Sequence, residues 1–203
     1  MNDSLQLPDE GKLTFDAEGQ EGGRYHSRHL HVPSATSGLT IGRGYDMKTR
    51  SAESIRADLV AAGVADDDAA LVCGAAGLSG AAASAYVDDN GLGDFEIGWD
   101  EQLRLFEIEY ARLSADTRRI ATKADVCRTY GNTDWDALDP VIREVLVDLR
   151  YRGDYTPATR RFLQEHVARN DRSAFVATVC DPDRWPGVPQ DRFRRRRDFC
   201  MGA

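Results

Sequence analysis

The sequence has no apolar run of the roughly 18 residues that a membrane-crossing helix needs, and none of its segments is of low complexity. No membrane span is therefore expected. Its opening residues, Met1-Asn2-Asp3-Ser4-Leu5, lack the basic start and apolar core of a secretory leader. That fits a chain made in the cytoplasm without a cleavable signal. Cysteine is scarce: Cys73, Cys127, Cys180 and Cys200 match no zinc spacing and are too few for a disulfide framework. Free buried thiols are expected, with a Cys180–Cys200 bond left open for an oxidising compartment. G-x-S-x-G, P-loop and C-x-x-C motifs are all missing. An overall positive charge is missing as well, since the net charge of −8 argues against broad nucleic-acid binding.

What is present is a globular composition of 203 residues, 41% apolar, enough for one domain or for one domain built from two lobes. The charge is unevenly spread. From Arg150 to Ala203 there are 12 Arg against 7 acidic residues, including the run Arg194-Arg195-Arg196-Arg197. Such a run reads either as the solvated face of a helix or as a basic surface that meets an anionic polymer.

Along the chain, Leu5–Ala17 suggests a short helix and turn. Tyr25–Val32 alternates weakly, and with Leu39-Thr40-Ile41 it suggests a hairpin around the turn-rich Pro33–Gly38. Ser51 is placed to cap a helix ending at Gly63. Short Ala-rich helices follow over Asp66–Val72 and Ser79–Val87. Asp100 is placed to cap a long helix with Leu103, Phe106, Tyr110 and Leu113 on one face. Val141, Ile142, Val145, Leu146 and Leu149 form the widest apolar stripe, the candidate for a central buried helix opening at Pro140. Thr156-Pro157, Phe175–Val179 and Arg192–Phe199 mark three more helices. The expected fold is α+β, mainly α: a small lobe with a β-hairpin (about 1–65), an insertion (about 66–98) and a larger helical lobe (about 99–203), with a cleft between the lobes.

The chemistry-bearing segment is Gly38-Leu39-Thr40-Ile41-Gly42-Arg43-Gly44-Tyr45-Asp46, preceded by Ala17-Glu18-Gly19. Two carboxylates held across a cleft suit cleavage of a glycosidic bond, one as general acid and one activating water. Glu18 is the candidate acid, Asp46 the candidate base, and Thr40 a hydroxyl placed to hold the water. His26, His29 and His31 lie close together, and His29 and His31 would share a strand face. No cysteine or obvious third ligand accompanies them, so no metal site is expected.

These residues resemble the phage-type lysozyme superfamily, in which a Glu-Gly pair precedes a hairpin bearing Thr-Ile-Gly-x-Gly, here Glu18-Gly19 and Thr40–Gly44. The chain is most similar to the pesticin-like muramidases, whose motif runs on into Tyr-Asp, here Tyr45-Asp46. Phage lysozymes proper carry their Asp six positions before the Thr, where this sequence has Ser34. The pesticin-like placement, six after, is Asp46. Trp99–Phe106 looks like the start of the family's long inter-lobe helix, and Trp135–Leu149 like its central helix. Arg184-Trp185 with Arg192 looks like the closing Trp-loop-helix segment. The resemblance implies a lysozyme-like muramidase that cuts the β-1,4 bond between N-acetylmuramic acid and N-acetylglucosamine with inversion. It implies Arg192 as electrostatic partner of Glu18, and no metal or organic cofactor. Tyr45, Tyr151 and Arg152 are candidates for lining the sugar groove.

The implied setting is a monomeric antibacterial toxin or effector, exported to act in the periplasm or cell wall of a target bacterium. Its partners would be peptidoglycan strands and a cognate immunity protein or secretion-apparatus carrier. A phage endolysin, a lytic transglycosylase and a chitinase-like glycosidase are the alternatives within enzymes. A non-catalytic wall-binding module is the alternative outside them.

Overall fold

The computed structural model describes residues 7–22 and 26–202. Among them the fold is α+β and mainly α: ten helices and one two-stranded antiparallel sheet. The helices are α1 (Lys12–Glu18), α2 (Ala52–Ala62), α3 (Asp66–Val72), α4 (Gly80–Asp89), α5 (Trp99–Ala121), α6 (Ala124–Tyr130), α7 (Pro140–Arg152), α8 (Pro157–Ala168), α9 (Arg172–Val179) and α10 (Gln190–Gly202). The strands are β1 (Thr40–Ile41) and β2 (Tyr45–Asp46). No helix among the described residues is long and apolar enough to cross a membrane.

The chain forms two compact units. One holds residues 1–9 and 18–109, the other 10–17 and 110–203. This differs from the expected division. Ala69, Val72, Ala75, Ala83, Leu92 and Ile97, all from the supposed insertion, share one buried cluster with Leu39, Ile41, Tyr45, Met47, Ile55, Leu59 and Leu105. The 66–98 stretch therefore supplies much of the first unit's core, and the hairpin packs on it.

Helix ends follow the local chemistry. Ser51 Oγ accepts from the Ser54 amide at 3.1 Å, and Gly63 closes α2 in a left-handed conformation. In the second unit Asp139 accepts from the Val141 amide at 2.8 Å with Pro140 in the first turn of α7. Thr156 and Thr159 cap α8 reciprocally ahead of Pro157. Two details differ from expectation. Helix α5 begins at Trp99, so Asp100 lies within its first turn, where a carboxylate faces the positive end of the helix dipole. Helix α6 had no expected counterpart, because its seven residues carry a single buried apolar side chain, Val126.

The expected strand over Tyr25–Val32 reduces to isolated antiparallel bridges, His29 with Glu96 and His31 with Thr40; Tyr25 itself lies outside the described residues. All four cysteines are free, and Cys200 alone is buried. Burial pushes the Cys180 thiol above its usual range and the Cys200 thiol up to about 12.

Candidate active site

Alternation along the hairpin decides which side chains do what. Successive strand residues point to opposite faces. Leu39 and Ile41 on one side of the turn, and Tyr45 and Met47 on the other, are all at most 1% exposed and face the core. Thr40 and Asp46 are thereby set on the opposite face. The register pairs Thr40 with Asp46 directly and Ile41 with Tyr45. Directly opposed residues bring their Cβ atoms to about 4.5–5.5 Å, so the hydroxyl and the carboxylate share one small patch.

Both side chains are oriented by backbone. Asp46 Oδ2 accepts from the Gly38 amide at 3.1 Å and Oδ1 from the Lys48 amide at 2.7 Å. Thr40 Oγ1 donates to the Gly38 carbonyl at 3.3 Å, which leaves its lone pairs as acceptors. Gly42 and Gly44, with φ of 62° and 86°, make the three-residue turn, in a region that L side chains rarely occupy.

Arg43, between those glycines, is the residue that sequence reasoning missed. A charged residue at a hairpin tip reads as solvated, yet Arg43 is only 6% exposed. Its guanidinium lies directly against Gly19, where a Cβ would sit 1.8 Å from one of its nitrogens. It also pairs with Glu21 Oε1 at 3.0 Å and sits 5.6 Å from the centre of the Trp99 ring. Buried Gln102 Nε2 donates to the same Glu21 oxygen at 3.2 Å. Burial pushes the Glu21 carboxyl up. Bonds from Gln102 and Arg28, with the charge of Arg43, outweigh it and hold the carboxyl below its usual range. Glu18 is the last residue of α1, half-buried and immediately before Gly19. Arg43 thus joins the hairpin turn to the residue that follows Glu18.

The remaining expected residues lie at several other places in the fold. Tyr45 is 1% exposed, and its hydroxyl donates to Asp58 Oδ2 at 2.6 Å while Arg50 lies over its ring. It is a core side chain, not a groove wall, because it alternates with Asp46. Tyr151 is half-buried near the end of α7. Arg152 holds a loop, pairing with Asp154 at 2.5 Å and donating to the Gly187 carbonyl at 3.1 Å. Arg192, 6% exposed, donates through Nε and a terminal nitrogen to the fully buried Asp148.

A third group from far along the chain stands beside two of the histidines. His26 and His29, rather than His29 and His31, meet Glu96, with all potential ligand atoms within 4.8 Å of one another. Glu96 lies 67 positions after His29, and no local pattern links the two.

A mainly helical α+β chain with a hydroxyl and a carboxylate paired on one face of a short hairpin, close behind a helix-terminal Glu, is the class that this geometry defines. The chain belongs to the family described as a domain of unknown function, DUF8812, whose model matches residues 11–197. No curated protein matches it.

Proposed function

We propose that this protein is a peptidoglycan hydrolase, a muramidase that cleaves the β-1,4 bond after N-acetylmuramic acid. The observation that carries the reading is the Thr40–Asp46 pair on the hairpin face opposite Ile41 and Tyr45, with the turn's Arg43 packed on the glycine after Glu18. Glu18 gives its proton to the glycosidic oxygen. Asp46 takes a proton from a water that attacks the anomeric carbon from the other face of the sugar. Thr40 Oγ1 accepts a hydrogen bond from that water. Two carboxyls far enough apart to hold a water, about 6.5–9.5 Å, give inversion. The similarity to pesticin-like muramidases supports the same assignment. It extends to an antibacterial effector exported to the wall of a target bacterium, with an immunity protein as its neutralising partner.

The test is mass spectrometry of purified peptidoglycan after digestion. Wild type is expected to release fragments with reducing muramic-acid ends. Glu18→Gln, nearly isosteric, should release none, and Asp46→Asn should lose at least about 100-fold, the lower bound of a general-base contribution. Anhydro-muramic ends, or full activity in Asp46→Asn, would point to a transglycosylase, which needs only the Glu. Absence of fragments with every wall preparation would leave a binding module.

A further inference from the structure

We propose that His26, His29 and Glu96 form a binding site for a divalent transition-metal ion of the zinc class, tying the segment after α1 to the segment that leads into α5. The site does not depend on the hydrolase reading. Its geometry has a backbone cause. His29 and Glu96 are an antiparallel bridge pair, and the Ile97 amide donates to the Arg28 carbonyl at 3.0 Å. Both elements therefore present these side chains to one side.

His26 Nε2 stands 3.5 Å from Glu96 Oε1, and His29 Nε2 stands 3.4 Å from Glu96 Oε2. The two imidazole rings are 5.1 Å apart at their centres. An ion about 2.0–2.2 Å from each of several tetrahedral ligands holds those ligands about 3.3–3.6 Å apart. The carboxylate already lies at that spacing from each imidazole. Two nitrogens and one oxygen suit zinc and its borderline neighbours, whereas calcium and magnesium take oxygen sets. With three protein ligands the fourth position is left to water. His29 and Glu96 side chains are each 39% exposed, so an ion has a path in.

The surroundings complete the site and also oppose it. The Gly22 amide donates to His26 Nδ1 at 2.5 Å, which leaves the ring proton on Nε2. Binding at Nε2 moves that proton to Nδ1, which breaks the Gly22 bond and makes Glu21 Oε2, 3.6 Å away, the new acceptor. No net proton is gained or lost. Arg28 is the competitor: its guanidinium lies 2.5 Å from Glu96 Oε1. It has a second place to go, since its Nε already contacts Glu21 Oε2 at 3.4 Å. The site is thus a carboxylate contested between a resident guanidinium and an incoming ion.

The experiment is calorimetric titration of ZnCl2 into the full chain stripped with a chelator, paired with the Co2+ absorption spectrum. Wild type is expected to bind one ion, with a raised unfolding temperature. His29→Ala and Glu96→Gln should each weaken binding by more than about tenfold, since even outer-shell partners carry effects of that size. Arg28→Ala should tighten binding, which a nonspecific histidine contact would not show. The Co2+ spectrum should lack thiolate-to-metal charge transfer. Absence of saturable binding would overturn the site. So would an affinity unchanged by His29→Ala and Glu96→Gln, or a thiolate spectrum, which would move the ion to the cysteines.

Discussion

Tyr45 and Asp46 are neighbours with opposite fates, and the difference is a matter of a single residue's direction. Asp46 turns to the outer face and is held by two amides, while Tyr45 turns inward and gives its hydroxyl to Asp58. Asp58 is only 9% exposed, so losing a donor there is costly. Tyr45→Phe is expected to lower stability by about 1.5–3 kcal/mol, the range for a hydrogen bond to a charged group. Urea unfolding would read it as a lower midpoint with unchanged slope. An unchanged midpoint would mean that the other contacts of Asp58, Arg50 at 4.0 Å among them, suffice. The two-residue period of Leu39, Ile41, Tyr45 and Met47 on either side of the turn accounts for the inward direction of Tyr45, although the motif's chemistry had suggested it as a groove residue beside Asp46. The burial of Arg43 was not. It depends on Gly19, Glu21, Trp99 and Gln102, which reach the turn from two other parts of the chain.

Whole elements were easier to read than their charges. The caps at Ser51 and Thr156, Pro140 at the start of its helix and the stripe over Val141–Leu149 act within a few residues, so the helices they define appear where the pattern puts them. The arginine run of α10 shows the limit. Arg194, Arg195 and Arg197 are exposed, as a solvated face requires, but Arg196 is 2% exposed. Arg192, Arg196 and Cys200 follow one another at four-residue steps and form the buried face of the helix. Two of the three carry charge, and only a carboxylate on another element makes that tolerable. It is Asp148 of α7, fully buried, which accepts from Arg192, from Arg196 at 2.5 Å and from Thr14 at 3.2 Å. Arg196 also reaches Asp154 at 2.8 Å. Asp148→Asn removes the charge and leaves two buried cations undercompensated. It is expected to cost about 3–5 kcal/mol, as breaking a buried ion pair does. Arg194→Ala, two positions from Arg196, should stay within about 0.5 kcal/mol. Equal effects from the two would mean that the pairing contributes nothing beyond a surface bridge.

For the molecule as a whole, pH should act through the carboxyl whose burial works against its charge. Glu144 of α7 accepts from the Leu13 amide at 2.9 Å. Burial is the largest influence and pushes its carboxyl above the usual range, helped by the negative charges of Asp148 and Glu10 and opposed by the Leu13 bond and by Lys12. Folding therefore takes up a proton on Glu144 at pH values between the ordinary carboxylate range and the raised one. The unfolded chain binds fewer protons there, so this group's contribution falls as pH climbs through that window. Its cost is fully present at neutral pH and absent below the ordinary range. Glu144→Gln keeps an oxygen for the Leu13 amide and removes the charge. The variant's unfolding temperature should match wild type in acid and exceed it near neutrality, the gap opening as pH rises from about 4. Thermal unfolding of both proteins from pH 4 to pH 7 checks this. A gap that stays constant would assign the difference to packing, and a gap that closes with rising pH would mean that the charged form is the one the fold favours.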